Sequence, residues 1–363
     1  MTTSALRVGV IGVGFGSTVH IPAFFSEGAQ VVAVCARREE RAEKAAHDFG
    51  VARAFTDYRQ LLDMGDLDAV SIATPPANHY EMVMAALEAG KHVLCEKPFA
   101  LDQGQAMEMA EKASRVGRTA MVAHEFRFAP GRAYVKELLS QGYVGRVQAV
   151  HMYLFRGPTE RPTRTAPLGA GAAEGGGFLG ALGSHYIDCL RDWVGDVSRV
   201  CGGVFVHEPN RVDPATGQSA TTDADDAFSF VATLAQGGWA SMSASSRAPF
   251  GPGALLQVYG AEGTLQTPQT GVNPPSDGRV LGARFGEGQG VRELPMPERF
   301  RPFVDPRDDR LMAFRILLRH FMKGINEGNS PSPNFYDGYR CQQVLDAIRV
   351  SQSGAGWVDI PGE

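Results

Sequence analysis

Short apolar runs alternate with amphipathic stretches over the first third of the chain. The runs at 7–11, 30–35, 69–73, 92–95 and 119–123 are rich in Val, Ile, Ala and Leu and bounded by turn residues. That is the pattern of strands buried on both faces of a parallel sheet. Between them, 39–49 and 80–88 carry apolar residues at helical spacing, and the second is stopped near Gly90, as helix C-termini commonly are. Strand and helix in regular alternation predict a doubly wound α/β sheet. After Pro130 the texture changes to a helix at 133–140, a strand at 147–155 and a loop rich in Pro, Thr, Gly and Ala as far as Gly177. Period-two alternation returns at 200–206, 226–234, 239–245 and 255–259, which predicts a mostly antiparallel sheet with few helices on it. The stretch 266–309, rich in Gly, Pro and charge, reads as surface hairpins and loops, before helices at 310–326 and 337–353 that are able to pack back on the first domain.

The first strand runs straight into Gly12-Val13-Gly14-Phe15-Gly16-Ser17, with helical spacing over 18–25. A glycine-rich turn between strand and helix is a dinucleotide-binding opening. Gly12 allows the tight turn, Gly14 lets the backbone approach a pyrophosphate, and the helix N-terminus favours its charge. Phe15 and Gly16 complete the cofactor loop, and Ser17 occupies the third glycine position. An NAD-binding chain carries an acid about twenty residues further on to hold the ribose 2′-hydroxyl. Here Ala36 takes that place, followed by Arg37 and Arg38, two fixed cations suited to a 2′-phosphate. The expected cofactor is NADP in preference to NAD. The same arginines, with Arg41, Glu39, Glu40 and Glu43, also make an ordinary solvated helix face. The expected fold class is α/β: an N-terminal Rossmann doubly wound parallel sheet over 1–125, then a C-terminal α+β domain over 126–363 built on a large, mostly antiparallel open sheet.

Glu96-Lys97-Pro98 closes the apolar run at 92–95. Ligands of open α/β sheets bind beyond the carboxyl ends of the strands, so Lys97 is expected to project into that crevice. Pro98 disfavours the helical region for the residue before it. The alternative is a surface lysine in a strand-to-helix loop. A length of 363 residues suits two domains, and 44% hydrophobic with 21% charged residues is ordinary for a soluble protein. A formal charge of −5 leaves no basic footprint for nucleic acid, and no apolar run approaches the roughly 18 residues of a membrane helix. Neither partner is expected. Residues 1–6 are too short for a signal peptide, and the five cysteines are odd in number and widely spaced, which fits a reducing cytoplasm. The nine histidines and the cysteines show no metal spacing, so no metal is expected.

Four motifs in order, Gly12-Val13-Gly14-Phe15-Gly16, Ala73-Thr74-Pro75-Pro76-Ala77-Asn78-His79, the run 89–98 ending in Glu96-Lys97-Pro98, and Gly183-Ser184-His185-Tyr186-Ile187-Asp188, resemble the Gfo/Idh/MocA oxidoreductases over nearly the whole chain. Asp337-Gly338 before the last helix is similar too. The resemblance implies hydride exchange at a carbon bearing a hydroxyl or carbonyl, most often on a sugar or cyclitol, and a homodimer or homotetramer assembled through the large sheet. It implies catalysis and cofactor contact for Lys97, cofactor contact for Glu96, and a cofactor role for Thr74, Pro75, Asn78 and His79. The family pattern sets an aspartate four residues before the histidine; here that position is Ala181.

The chemistry narrows the candidates independently. Removing a hydride from an alcohol requires the hydroxyl proton to leave, so a positioned base is worth about 10²–10⁴ in rate. Lys97 and His185 are the candidates. An imidazole needs little adjustment to act near neutrality, whereas an amine needs burial or a neighbouring cation. Asp188, three residues after His185, shares its helical face and serves either as its partner or in a salt bridge. Arg127, Tyr153 and Arg156 are candidate substrate-binding residues for a polyol, or else salt-bridging and strand-packing ones. His20, His79 and His124 are placed to approach the cofactor or to cap helices. Besides a dehydrogenase, the sequence leaves open a cofactor-binding regulator and a redox-cycling enzyme without net cofactor turnover, since fold alone does not separate them.

Overall fold

The computed structural model describes residues 5–157, 170–212, 216–269, 278–288 and 290–362. Parts of the expected 1–6 segment, of the loop ending at Gly177 and of the 266–309 region lie outside the described residues. The chain forms two compact units: Met1–Glu125 with Asp305–Gln342, and Phe126–Val304 with Gln343–Glu363. Residues 305–342, assigned from sequence to the second domain, thus belong with the first unit; of the two helices expected to pack back, Leu311–Glu327 lies wholly in that unit, whereas Phe335–Val350 is divided at Gln342.

The first unit carries β1 (Arg7–Ile11), β2 (Gln30–Cys35), β3 (Ala54–Phe55), β4 (Ala69–Ile72), β5 (His92–Cys95) and β6 (Ala120–Val122). They form one sheet in the order β3-β2-β1-β4-β5-β6, with every pair parallel. The order reverses between β1 and β4, which opens the ligand crevice over the strands' carboxyl ends. The apolar runs are covered on both faces: Val8, Val10, Val70, Ile72, Val93 and Cys95 are all fully buried. The helix expected at 18–25 begins as a π turn, Gly16–His20, and continues as Ile21–Ser26. Pro22 falls in the first turn of the α segment, where its missing N–H costs nothing. Helix Leu311–Glu327 buries Leu311, Phe314, Leu317, Leu318 and Phe321. Its Arg315 and Arg319 donate to Glu27 at 2.7 and 2.6 Å, tying it to the end of the first helix.

The second unit is built on β7 (Val147–Phe155), β8 (Val197–Phe205), the small pair β9 (Asn210–Val212) and β10 (Ser219–Thr221), β11 (Ala227–Leu234), β12 (Trp239–Ser245), β13 (Gly253–Gly260), β14 (Gly263–Gln269), β15 (Val280–Arg284), β16 (Arg292–Leu294) and β17 (Val358–Asp359). Nine of these make one sheet, β16-β15-β14-β13-β7-β12-β11-β8-β17, antiparallel except for β7 beside β12. The region expected as surface hairpins therefore supplies the sheet's β14–β16 edge. Its reason is visible in β14, where Leu265, Thr267 and Gln269 alternate inward and are buried. In the central strands the even-numbered residues Val150, Met152, Leu154, Phe228, Phe230, Met242 and Ala244 are buried. Their odd-numbered neighbours His151, Tyr153, Ser229, Ser241, Ser243 and Gln257 are only half-buried, so one face is left open.

Candidate active site

In the first unit a cleft of about 680 Å³ lies at the carboxyl ends of β1, β2 and β4, walled by Gly12, Gly14, Arg37, Arg38, Thr74 and Asn78 among others. The glycines are there for space. Gly12 has φ +98°, and a Cβ on it would fall 2.4 Å from the Ala73 carbonyl oxygen. A Cβ on Gly14 would meet nothing within 4 Å, so that backbone faces open space. This is the surface a pyrophosphate needs. Ala36, Arg37 and Arg38 follow β2 directly, and both arginines are exposed on the cleft wall. Arg38 lies 3.5 Å from Glu40; no carboxylate among the described residues pairs with Arg37. Pro75 also lines the cleft, and Thr74 donates to the Met82 sulfur at 3.6 Å.

Phe15, Gly16 and His79 do not line this cleft. Phe15 is packed under the Arg310 guanidinium, 4.8 Å from its ring centroid, and edge-on to His20. His79 corrects a sequence expectation: it is fully buried, with one ring nitrogen 2.9 Å from the Thr74 carbonyl and the other 3.1 Å from that of Pro98. Burial outweighs those contacts and lowers its pKa. It braces the two loops at the mouth of the crevice from behind and does not reach into it.

At the end of β5, Glu96 is buried while Lys97 is half-buried. Glu96 accepts the Lys97 backbone N–H at 3.1 Å and lies 3.0 Å from His20 Nε2, whose Nδ1 is 2.7 Å from the Ser71 hydroxyl. Burial alone would raise the Glu96 pKa; the His20 hydrogen bond and the charges of His20 and Lys97 offset it and hold the carboxyl below its usual value. Glu125, past the end of β6, is buried in the same electrostatic neighbourhood. Burial first, and the negative Glu96 second, push its carboxyl up to about 8, against the opposing charges of Lys97 and Arg310. Sequence reasoning missed Glu125, although it carries the same signal as Lys97: a charged residue placed just after a buried strand.

In the second unit, His185 is the second residue of helix Ser184–Val194 and is buried. A π turn, Leu179–Gly183, leads into it. A Cβ on Gly183 would come within 3.0 Å of Leu179 and Phe228. The turn is anchored by Asp225, whose side chain accepts the Leu179 N–H at 2.7 Å. Phe126 stacks on the imidazole at 3.8 Å between centroids. Asp188 makes a salt bridge: it accepts from Arg127 Nε at 2.9 Å, and Arg127 also reaches Asp192 at 3.0 Å. Arg127, a candidate for substrate, is thus engaged in a buried ion pair. Tyr153 lies on the open, odd-numbered face of β7, whereas Gly183 approaches Phe228 on the even-numbered face. Strand parity turns Tyr153 away from the His185 helix, which corrects its expected place beside substrate. Arg156 lies over Phe178, just before the π turn. Among the described residues no cluster of His, Cys, Asp and Glu is arranged to hold a metal ion.

Residues 6–124 match the oxidoreductase family with an NAD-binding Rossmann fold, and residues 133–266 match the GFO/IDH/MocA C-terminal domain. The chain belongs to the Gfo/Idh/MocA oxidoreductase family. This family member is 31% identical over 359 residues to an uncharacterised oxidoreductase of Synechocystis sp., with 98% of this chain and 96% of that one covered. It is 29% identical over 395 residues to levoglucosan dehydrogenase of Pseudarthrobacter phenanthrenivorans, covering 98% of each. A solved structure of levoglucosan dehydrogenase in complex with NADH and L-sorbose is similar with a TM-score of 0.88 at 27% identity, over 99% of this chain and 100% of that one. The Gfo/Idh/MocA chain described here is an NAD(P)-dependent oxidoreductase acting on hydroxyl-bearing or carbonyl carbons.

Proposed function

We propose that this oxidoreductase acts on a sugar, cyclitol or related polyol, with Lys97 as the principal proton-transfer group and NADP(H) as the preferred cofactor. The observation that carries the reading is the place of Lys97. It is the second residue past β5, at the crevice end of the sheet, and its backbone is held by the buried Glu96–His20–Ser71 chain. The Gly12–Gly14 turn would hold a nicotinamide cofactor, which would supply or accept the hydride. Lys97 Nζ takes the hydroxyl proton in oxidation and returns it in reduction. His185 hydrogen-bonds the substrate oxygen. Thr74, Pro75 and Asn78 hold the cofactor with the glycine turn, and Glu96 positions Lys97.

Preference for NADP is supported by Arg37 and Arg38 on the cleft wall, where an NAD enzyme carries an acid. A homodimer or homotetramer formed through the open face of the nine-stranded sheet is supported by its row of half-buried side chains, including His151, Ser241 and Gln257. A cytoplasmic location accords with five cysteines that are all free thiols. No described helix is long and apolar enough to cross a membrane.

The test is a screen of cyclitols, aldoses and aldonic acids against both cofactors, read by absorbance of the reduced nicotinamide. Turnover of a polyol supports the proposal. Tight cofactor binding with no turnover of any polyol overturns it in favour of a regulator.

A further inference from the structure

Arg156 directly follows β7 and is half-buried. Its backbone is fixed: the N–H donates to the Ser245 carbonyl and its own carbonyl accepts from Ala248, both at 3.0 Å. The guanidinium lies over the Phe178 ring, 5.5 Å from the centroid, and no carboxylate among the described residues pairs with it. Arg247, two residues past β12, brings a second cation. Its Nε has no hydrogen-bond partner among the described residues and lies 3.5 Å from Asp226, while the side chain as a whole is 30% exposed. Asp226 is already engaged, accepting the backbone N–H groups of His207 and Glu208 at 2.9 and 2.8 Å with the His207 ring at 2.9 Å. It compensates Arg247 only in part. Burial, and then the charge of Arg247, lower the Arg156 pKa.

A third cation adds to the excess. Arg132 is 0% exposed, packed over the Tyr186 ring at 4.4 Å, and its Nη2 donates to Gln269 at 3.3 Å. Its Nε and Nη1 have no partner among the described residues. Tyr186 is within electrostatic reach of both Arg132 and Arg156. Position 181, three residues past Phe178, is alanine and brings no carboxylate. Partly buried cations of like sign that share too few carboxylates are costly, and a bound anion relieves both their desolvation and their mutual repulsion.

We propose that Arg156 and Arg247 form a subsite for a carboxylate on the substrate, so that the preferred polyol is acidic, an aldonate or a uronate. A planar carboxylate matches the guanidinium fork, and one negative charge balances the Arg156 cation, which pairs with no carboxylate among the described residues. The inference rests on the polyol reading above and narrows its substrate class.

The experiment compares D-glucuronate and D-gluconate with D-glucose and D-glucose 6-phosphate, by kcat/KM and by calorimetric titration without turnover, for the native chain and for Arg156→Gln and Arg247→Gln. We expect the carboxylates to be favoured over D-glucose by about 10- to 100-fold, the worth of one charged hydrogen bond, with the preference lost in Arg156→Gln through KM. Arg156→Lys should recover part of it, which separates charge recognition from a folding defect. If D-glucuronate binds the native chain but not Arg156→Gln while nothing is turned over, the subsite stands and the dehydrogenase reading falls. D-glucose serving as well as the acids, D-glucose 6-phosphate surpassing them, or neither acid binding would overturn the subsite.

Discussion

The ring of Phe126 lies flat against the imidazole of His185, with centroids 3.8 Å apart and planes 8° from parallel. The next residue, Arg127, grips Asp188 one turn along the same helix. Two consecutive side chains of the Glu125–Phe128 turn therefore fix both the plane of the imidazole and the helix that bears it. Such a stack sets orientation without taking up a ring nitrogen.

Phe126→Leu keeps an apolar side chain but loses the flat face. Because a small misplacement of a reacting group costs heavily, we expect kcat to fall about tenfold, with Phe126→Tyr close to the native value. In a His185→Asn background the leucine should cost no further kcat. Steady-state kinetics of the four variants in the cycle decides it. An equal loss in both backgrounds would show that Phe126 does not act through His185.

Lys97→Ala is expected to lower kcat by about 10²–10⁴, the range for a lost acid/base group, with cofactor affinity nearly unchanged. His185→Asn should cost less in kcat and raise KM, since position 181 is alanine and offers the imidazole no carboxylate. Kinetics of both on one substrate, with cofactor titration, orders them. A His185→Asn loss in kcat as large as that of Lys97→Ala, at unchanged KM, would reverse their roles.

The parallel sheet and its cleft were legible because their causes are local. Gly12 stands where only glycine clears the Ala73 carbonyl, and Lys97 follows a four-residue apolar run. What escaped the sequence depends on distant partners. Arg127 meets Asp188 sixty-one residues away, and Arg315 meets Glu27 across 288. Spacing along the chain carries no trace of such pairs. Tyr153 shows a subtler limit: strand alternation tells that odd and even residues face opposite ways, but the covered face is decided by where the helices land. His79 shows another, since a polar residue beside a cofactor motif can be spent on bracing the backbone.

Cofactor choice is tested at Arg37. NADP(H) should bind more tightly than NAD(H), each charge-assisted contact to the 2′-phosphate contributing about 1.5–3 kcal/mol. Arg37→Ala should lose most of that preference if Arg37 is the reader; Arg38, already 3.5 Å from Glu40, is the second candidate. Calorimetric titration with both cofactors reads the difference directly. Equal affinities in the native chain would rule the preference out.

Glu125 links the crevice to stability. Its carboxyl is pushed from an ordinary 4.5 up to about 8, by burial first and by Glu96 second. Below pH 4.5 it is protonated in the folded and unfolded chain alike, and its contribution to stability is fully present. As pH rises toward 8, the unfolded chain releases a proton that the folded chain retains, so stability falls through that window and levels off above it. Glu125→Gln keeps the shape and removes the titration. The melting temperature of the native chain relative to Glu125→Gln should therefore decline steadily between about pH 5 and pH 8, with contributions from other groups cancelling in the difference. Calorimetric melts of both proteins at half-unit steps measure it. Parallel curves across that range would mean that Glu125 is ionised in the folded chain at neutral pH, and that neither burial nor Glu96 controls its proton.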